Sequence, residues 1–415
     1  MRILWVCNKA PEPVVAAAGI EGVISGGWLD STAADLLLNA NVSLKVLFLG
    51  GNSVDGALAN LSFASFSCDV AEDWFYKQIV IFQPDVIHIW GTEFPHSLEV
   101  VRAANKLDLL GSTVVSIQGL VSICGRYHYA EGISDSVMRI PSFGDFVRGT
   151  SLDRDRRTFL ERGEAEQECL RLVKHVIGRT EWDRACAMQL NPGLSYHYCN
   201  ESLRPEFYDA SWSLMDIERH SIFVSQCSYP IKGFHYALQA LSILKAAYPD
   251  VVLYTTGESV FRNSLKRNLG RNSYQAYIAQ LIDRLGLRDN VHFVGTLDAA
   301  AMRDRYLASH VFVSSSTIEN SPNSVGEAML LGCPVVSSNV GGVSDMLTHG
   351  KEGFLYQESA PYMLAWYVSR LFDDDLLAKR FSNASRNRAV HTHDRTKNLN
   401  TMMGIYKTIR LNHVG

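Results

Sequence analysis

Twice along this chain, short apolar runs alternate with stretches of helical periodicity, and no other property of the sequence restricts its fold as strongly. The first series takes the runs Met1–Cys7, 44–50, 85–91, 112–119 and His175–Ile177, with helical stretches at 29–40, 71–82, 97–107 and Glu164–Val173 between them. The second begins at Ser221, with runs at 221–226, 251–257, 291–295 and Val311–Ser314 and helical stretches at 234–248, 273–286 and 300–309. A short unbroken apolar run is a strand buried on both faces, and strands separated by crossover helices must pair in parallel. The expected fold class is therefore α/β, with two Rossmann-like doubly wound domains. Ligands of such sheets bind beyond the carboxyl ends of the strands, so a cleft faced by both domains is expected to hold the site. We expect domains at 1–205 and 215–385. Residues 386–415 should form a closing helix that crosses back to the first domain, with Leu399, Met402, Met403, Tyr406 and Ile409 along one face.

From Leu120 to Arg162 the alternation lapses, and aromatic and basic residues interleave. Long irregular insertions are often functional; this one reads equally as a helical subdomain packed on the sheet or as a surface for an acceptor or a membrane. A net charge of -4 gives no reason to expect nucleic acid as a partner. No run approaches the ~18 apolar residues of a membrane span, so any membrane contact should be peripheral. The eight cysteines are scattered without a C-x-x-C pair. Together with a first apolar run too short for a secretory signal, they point to a reducing cytoplasm, with any membrane contact at its inner face.

The most informative stretch is Val311–Tyr356: a strand, a polar loop carrying Glu319, a helix opened around Asn323 and Ser324 and carrying Glu327, then a second strand ending at Gly341-Gly342. A helix start presents unpaired N–H groups and partial positive charge, which suits phosphate. Carboxylates beside it accept hydrogen bonds from hydroxyls and repel phosphate. A sugar nucleotide has both parts. In the first domain, Gly26-Gly27 follows the first strand as a turn into a helix, where backbone could approach a diphosphate.

Glu319 and Glu327 reproduce the E-x7-E spacing of the retaining glycosyltransferases of family 4, and the course GEAMLLGCPVVSSNVGGVSDML resembles that family closely. The resemblance covers essentially the whole chain and is tightest from about Ser221 to Tyr356. It implies the GT-B fold and transfer of a sugar, with retention, from a nucleotide-sugar such as a UDP- or GDP-sugar to a hydroxyl of a glycan or lipid-linked acceptor, as in bacterial capsule, exopolysaccharide or lipopolysaccharide synthesis. No cofactor and no metal are implied. By the same resemblance Glu327 would hold the ribose and Glu319 the donor sugar, while Asn323, Ser324 and Val325 would offer backbone N–H groups to the diphosphate. Lys232, in YPIKG after the first strand of the second domain, would stabilise the charge gathering on the leaving diphosphate.

Two positions depart from the family. Gln226-Cys227 stands where an Arg is usual, and Gln118-Gly119 where a His-Gly is usual. Neither glutamine carries charge or exchanges a proton, so Gln226 and Gln118 would act by hydrogen bonding alone, with Arg179, Arg262, Lys266, Arg267 or Arg271 as candidate sources of the missing charge. His88, Glu93 and His96 close another first-domain strand; Glu93 and His96 are candidate acceptor contacts. His391 and His393 form an H-x-H with no third ligand nearby. A nucleotide-sugar epimerase and a non-catalytic nucleotide-sugar binder are the alternative readings of the same features.

Overall fold

A computed structural model describes residues 1–20, 27, 29–51, 53–261 and 270–414. The chain divides into two compact units. The first is Met1–Ser122 with Glu161–Arg204 and the segment from Thr392 onward; the second is Ile123–Leu160 with Pro205–His391.

The first unit is built on β1 (Arg2–Cys7), β2 (Ser43–Leu49), β3 (Asp55–Leu58), β4 (Leu61–Phe66), β5 (Val86–Trp90), β6 (Thr113–Ser116), β7 (His175–Gly178) and β8 (Ser195–Tyr198). They lie in the order β3-β4-β2-β1-β5-β6-β7-β8, parallel throughout except for the β3–β4 hairpin at one edge. All five residues of β5 and five of the six in β1 are buried, as a parallel sheet covered on both faces requires. The closing helix, Arg395–Val414, lays Met402, Ile405, Tyr406 and Ile409 into this core, with Leu399 and Met403 partly buried beside them. Burial of each such side chain contributes roughly 1.5–3 kcal/mol.

Within that core, polar groups are satisfied by a closed relay. The Trp5 indole N–H donates to Tyr406 Oη at 3.0 Å, Tyr406 Oη lies 2.5 Å from His88 Nδ1, and His88 Nε2 lies 2.7 Å from Ser116 Oγ. Burial lowers the His88 pKa to about 3, so the ring is neutral and internal rather than directed at a ligand. Alternation along β5 turns it toward the closing helix.

The second unit holds β9 (Glu218–Val224), β10 (Val252–Thr255), β11 (Val291–Phe293), β12 (Ser309–Ser314), β13 (Val335–Ser338) and β14 (Phe354–Tyr356), all parallel in the order β11-β10-β9-β12-β13-β14. Its aromatic centre is Tyr306 between Phe223 and Phe312, with ring centroids 4.9 and 5.0 Å away. The insertion Ile123–Leu160, expected within a 1–205 domain, is held by this unit instead. Asp145 accepts from the Ser273 N–H at 2.5 Å and from Ser273 Oγ at 2.6 Å, Ser142 Oγ donates to Arg271 O, and Thr317 Oγ1 donates to His128 O. The sequence could not disclose this, because the partners lie over a hundred positions away and carry no periodic signal. Among the described residues, no helix is long and apolar enough to cross a membrane.

Candidate active site

In the second sheet the chain leaves β9 toward β10 on one side and returns through β12 on the other. The loops beyond the carboxyl ends of these two neighbours diverge, and such a switch point is where an open α/β sheet receives a ligand. Lys232 and Glu319 come from those two loops. After β9 the chain makes a 3-10 turn at Pro230–Lys232 and passes through Gly233 at φ 61° into the helix Phe234–Ala247. After β12 it runs through Ser315–Glu319 to the helix Asn323–Leu331, which ends at Gly332 with φ 80°.

The two loops are stitched together along their length. Ser315 Oγ donates to Lys232 O, the Thr317 N–H donates to Ile231 O at 2.8 Å, and Ser338 Oγ anchors Ser316 O from β13. A Cβ on Gly233 would lie 1.8 Å from Ser315 O, and one on Gly341 would lie 2.0 Å from Glu319 O; both glycines have positive φ. Only glycine allows these approaches.

The result is an ion pair at the loop tips. Lys232 Nζ lies 2.6 Å from Glu319 Oε1, which also accepts from Ser316 Oγ at 2.7 Å, and both side chains are mostly enclosed. Burial opposes the Lys232 charge, but the Glu319 carboxylate outweighs it and holds the lysine pKa above its ordinary value. One turn on, Pro322 begins the Asn323–Leu331 helix without a side-chain cap. The Val325 N–H is already used, donating to Pro322 O at 3.0 Å, so Asn323 and Ser324 are the better placed anion donors. Glu327 is buried on the same helix, its Oε2 3.5 Å from the hydroxyl of Tyr306, which in turn donates to Ser324 O at 3.1 Å. Cation, uncapped helix start and buried carboxylate thus share one unit and one end of its sheet.

Gln226 lies beside Tyr229, whose hydroxyl is 3.5 Å from Gln226 Oε1. Cys227 is buried, donates to Thr256 O, and has its thiol pKa pushed up to about 11 by burial, so neither residue brings charge to the loop. Arg262, Lys266 and Arg267 lie outside the described residues.

In the first unit, the switch point falls between β1 and β5. There Asn8, just past β1, donates to Glu93, just past β5, at 3.2 Å. Burial, with the nearby Glu166 charge adding to it, raises the Glu93 carboxyl to about 7. Glu166, which sequence reading passes over as one acid in a helical run, is buried and accepts from Thr92 Oγ1, the Val121 N–H and the Ser122 N–H and hydroxyl. His96 is a correction. Its ring packs between Phe66 and Phe94 at 4.8 and 5.8 Å, is 3% exposed, and is held neutral with a pKa of about 4, so it offers an acceptor no accessible edge.

Gln118 is fully engaged as well. Its Nε2 donates to Glu201 Oε1 at 2.6 Å, its Oε1 accepts from Arg179 at 3.2 Å, and Arg179 closes the triangle on Glu201 Oε2 at 2.5 Å. His393 fixes Glu201 through its carbonyl at 2.8 Å. Arg179 and Glu201 line the wall of a pocket with Thr32, His88 and Ser116. Arg179 is therefore committed within its own unit. Gly27 has φ 32°, and a Cβ there would lie 3.6 Å from the Arg204 side chain; Gly26 lies outside the described residues. Among the described residues, His128, Glu131 and Glu358 bring three metal-capable atoms within 4.8 Å of one another. Burial and then the Glu131 carboxylate raise Glu358 to about 8, which fits a proton shared between the two acids.

Residues 209–388 match the family model of glycosyl transferases group 1. The chain is 23% identical over 93% of its length to the putative glycosyltransferase YtcC of Bacillus subtilis, of which it covers 87%. It is 28% identical over 40% of its length to the uncharacterized glycosyltransferase MJ1607 of Methanocaldococcus jannaschii, and spans only 38% of that protein. In structure it resembles sucrose-phosphate synthase from Thermosynechococcus elongatus (TM-score 0.70, 14% identity, 98% of this chain and 99% of that one). It also resembles Anabaena Alr3699/HepE in complex with UDP-glucose (TM-score 0.68, 17% identity, 98% and 100%). The fold is GT-B, built of two Rossmann-like α/β domains.

Proposed function

We propose that the protein transfers a glycosyl group from a nucleoside-diphosphate sugar to an acceptor hydroxyl, with retention of configuration. The observation that carries this reading is the meeting of Lys232 and Glu319 at the β9/β12 switch point, beside the uncapped start of the helix that carries Glu327. The diphosphate sits against Lys232 and the Asn323 and Ser324 N–H groups; Glu327 accepts from the ribose hydroxyls and Glu319 from the donor sugar. Without a donor, Glu319 neutralises Lys232. A bound diphosphate draws the ammonium away and releases Glu319 for sugar hydroxyls, so one exchange of partners prepares both contacts. As the anomeric C–O bond breaks, the electron pair goes to the diphosphate, where Lys232 and the helix start stabilise it more than in the ground state. The departing phosphate oxygen takes the proton of the incoming hydroxyl on the same face of the sugar. In the first unit, Glu93 is the candidate acceptor carboxylate, with a pKa near neutrality, and Gln118 is held at both ends by Glu201 and Arg179.

HepE was solved with UDP-glucose, so uridine diphosphate sugars come first among donors to try. A thermal-shift screen of UDP-, GDP- and ADP-sugars should give stabilisation by one class, since a ligand that binds only the native state raises its stability. The Glu327→Ala and Lys232→Ala variants should lose that shift and at least ~100-fold in transfer or donor hydrolysis. No shift with any donor, or unchanged turnover in both variants, would sink the assignment.

A further inference from the structure

The second unit gathers one histidine and two glutamates that the glycosyl-transfer reading does not use. His128 closes the π-helical turn Cys124–His128 of the insertion, and Glu131 follows three positions later. Their side chains meet, with His128 Nδ1 3.3 Å from Glu131 Oε2. Glu358 comes to them from the segment between β14 and the helix Pro361–Asp373. One donor atom from each of the three lies within 4.8 Å of the other two. The backbones that carry the insertion's pair are fixed. Thr317 Oγ1 donates to His128 O at 2.9 Å, and His235 Nε2 lies 3.0 Å from Glu131 O. Gly132, at φ 73°, runs so close to Tyr236 that a Cβ there would lie 2.1 Å from its hydroxyl oxygen. Thr317 belongs to the loop that leads to Glu319, so the insertion, the β12 loop and the segment after β14 converge at this cluster.

The cluster has the donors of a cation site and no side-chain cation to balance them. Among the described residues, no lysine or arginine forms an ion pair with Glu131 or Glu358, and each acid has the other as its charged neighbour. Glu358 Oε1 is buried, and no hydrogen-bond donor among the described residues reaches it. Buried polar atoms rarely lack a partner, and one aimed at a second carboxylate calls for positive charge. A shared proton relieves the two acids but makes no use of His128, whereas a divalent cation engages all three. The His128 Nδ1–Glu131 Oε2 separation of 3.3 Å is long for a hydrogen bond. It matches two donors on one tetrahedral ion with bonds of about 2.0–2.1 Å, so only Glu358 has to close on the pair. One imidazole with two carboxylates favours Zn²⁺ or Mn²⁺ over Mg²⁺, which keeps an octahedral shell of oxygens and water.

We propose that His128, Glu131 and Glu358 bind a divalent transition-metal ion that clasps the insertion to the body of the second unit. The ion takes no part in glycosyl transfer, and the site does not depend on the donor reading. The test is calorimetric titration of the EDTA-dialysed full chain with Zn²⁺, Mn²⁺ and Mg²⁺, beside the His128→Ala and Glu358→Gln variants, with the metal-free melting temperature as the folding control. Mn²⁺ is included because the chain's free thiols compete for it far less than for Zn²⁺. The parent should bind one ion per chain, Zn²⁺ more tightly than Mn²⁺ and Mg²⁺ least. Loss of an outer-shell partner already weakens metal sites by about 10–100-fold, so removal of a direct ligand should weaken binding at least ~100-fold while the metal-free variants melt like the parent. Bound metal should also slow proteolysis within Ile123–Leu160 in the parent and not in the variants. Absence of Zn²⁺ and Mn²⁺ binding overturns the proposal, as does equal binding by both variants, which would place the ion elsewhere. Binding that leaves proteolysis of the insertion unchanged overturns it too. Loss of the thermal shift with nucleotide sugars, measured without added metal, would bear on the glycosyl-transfer reading alone.

Discussion

Replacing Lys232 by alanine tests the geometry of the second-unit site before any substrate is known. The substitution removes the cation 2.6 Å from Glu319 Oε1 and leaves that carboxylate with Ser316 Oγ in a mostly enclosed loop. Exposed ion pairs contribute about 0.2–1 kcal/mol, and breaking a buried one costs about 3–5 kcal/mol. With side chains 23% and 14% exposed, this pair falls between the limits, at about 2 kcal/mol. For a domain of roughly 150–250 residues that lowers the melting temperature by about 4–8 °C. Most of the loss belongs to the stranded carboxylate, so the Lys232→Ala/Glu319→Gln double variant should regain at least half of it, with a coupling of about 1 kcal/mol. The lysine pKa is raised in the fold, so its contribution is complete below the unfolded value of about 10.4 and fades only as pH rises through the folded one. The difference between parent and variant should therefore be flat from about pH 6 to 9. Differential scanning calorimetry of the four proteins closes the cycle. A Lys232→Ala protein that melts like the parent, or a double variant no better than the single, would mean that the pair is solvated and that the argument from enclosure fails.

Gly233→Ala should cost more than about 3 kcal/mol and abolish the donor-induced thermal shift, because its Cβ would fall 1.8 Å from Ser315 O at a φ that disfavours alanine; an unchanged denaturant midpoint would show that the loop yields freely. Glu93→Gln should stabilise the protein at pH 8 by on the order of 2 kcal/mol and leave it unchanged at pH 4. The reason is that the folded carboxyl keeps its proton to about pH 7 while the unfolded one releases it near its ordinary value, so the parent loses stability as pH rises through that window. Parallel denaturation midpoints for parent and variant at the two pH values would refute it.

The central strands were legible because burial on both faces writes an unbroken apolar run, as in β1, β5 and β12. The edge strands of the first sheet, β3 and β8, write none. β8, with sequence SYHY, falls outside every run read as a strand, and the exposed β3 has no apolar run at all; both are defined by the neighbour they pair with. At the site, the order of residues showed that Lys232, Glu319 and Glu327 occupy motif positions. It did not show that the lysine and Glu319 neutralise each other, since that depends on two loops converging past different strands. Glu201 and Glu166 escaped notice for the same reason. An acid engaged by Arg179 and Gln118, or by two backbone N–H groups and two hydroxyls, reads in the sequence like any surface acid.

The relay through Tyr406 has a consequence for how the protein comes to exist. Trp5 and Tyr406 are 401 positions apart, and the indole N–H and His88 Nδ1 both meet that late hydroxyl. On a ribosome, the first sheet emerges with an open apolar groove and must wait through the synthesis of the entire second unit before the helix from Arg395 fills it. The second unit, interrupted only by the return to Ile123–Leu160, can close before the first. The unit that is begun first is therefore the one whose last segment is made last. The exposed groove makes the nascent first unit the natural client of chaperones and the step at which aggregation competes with folding.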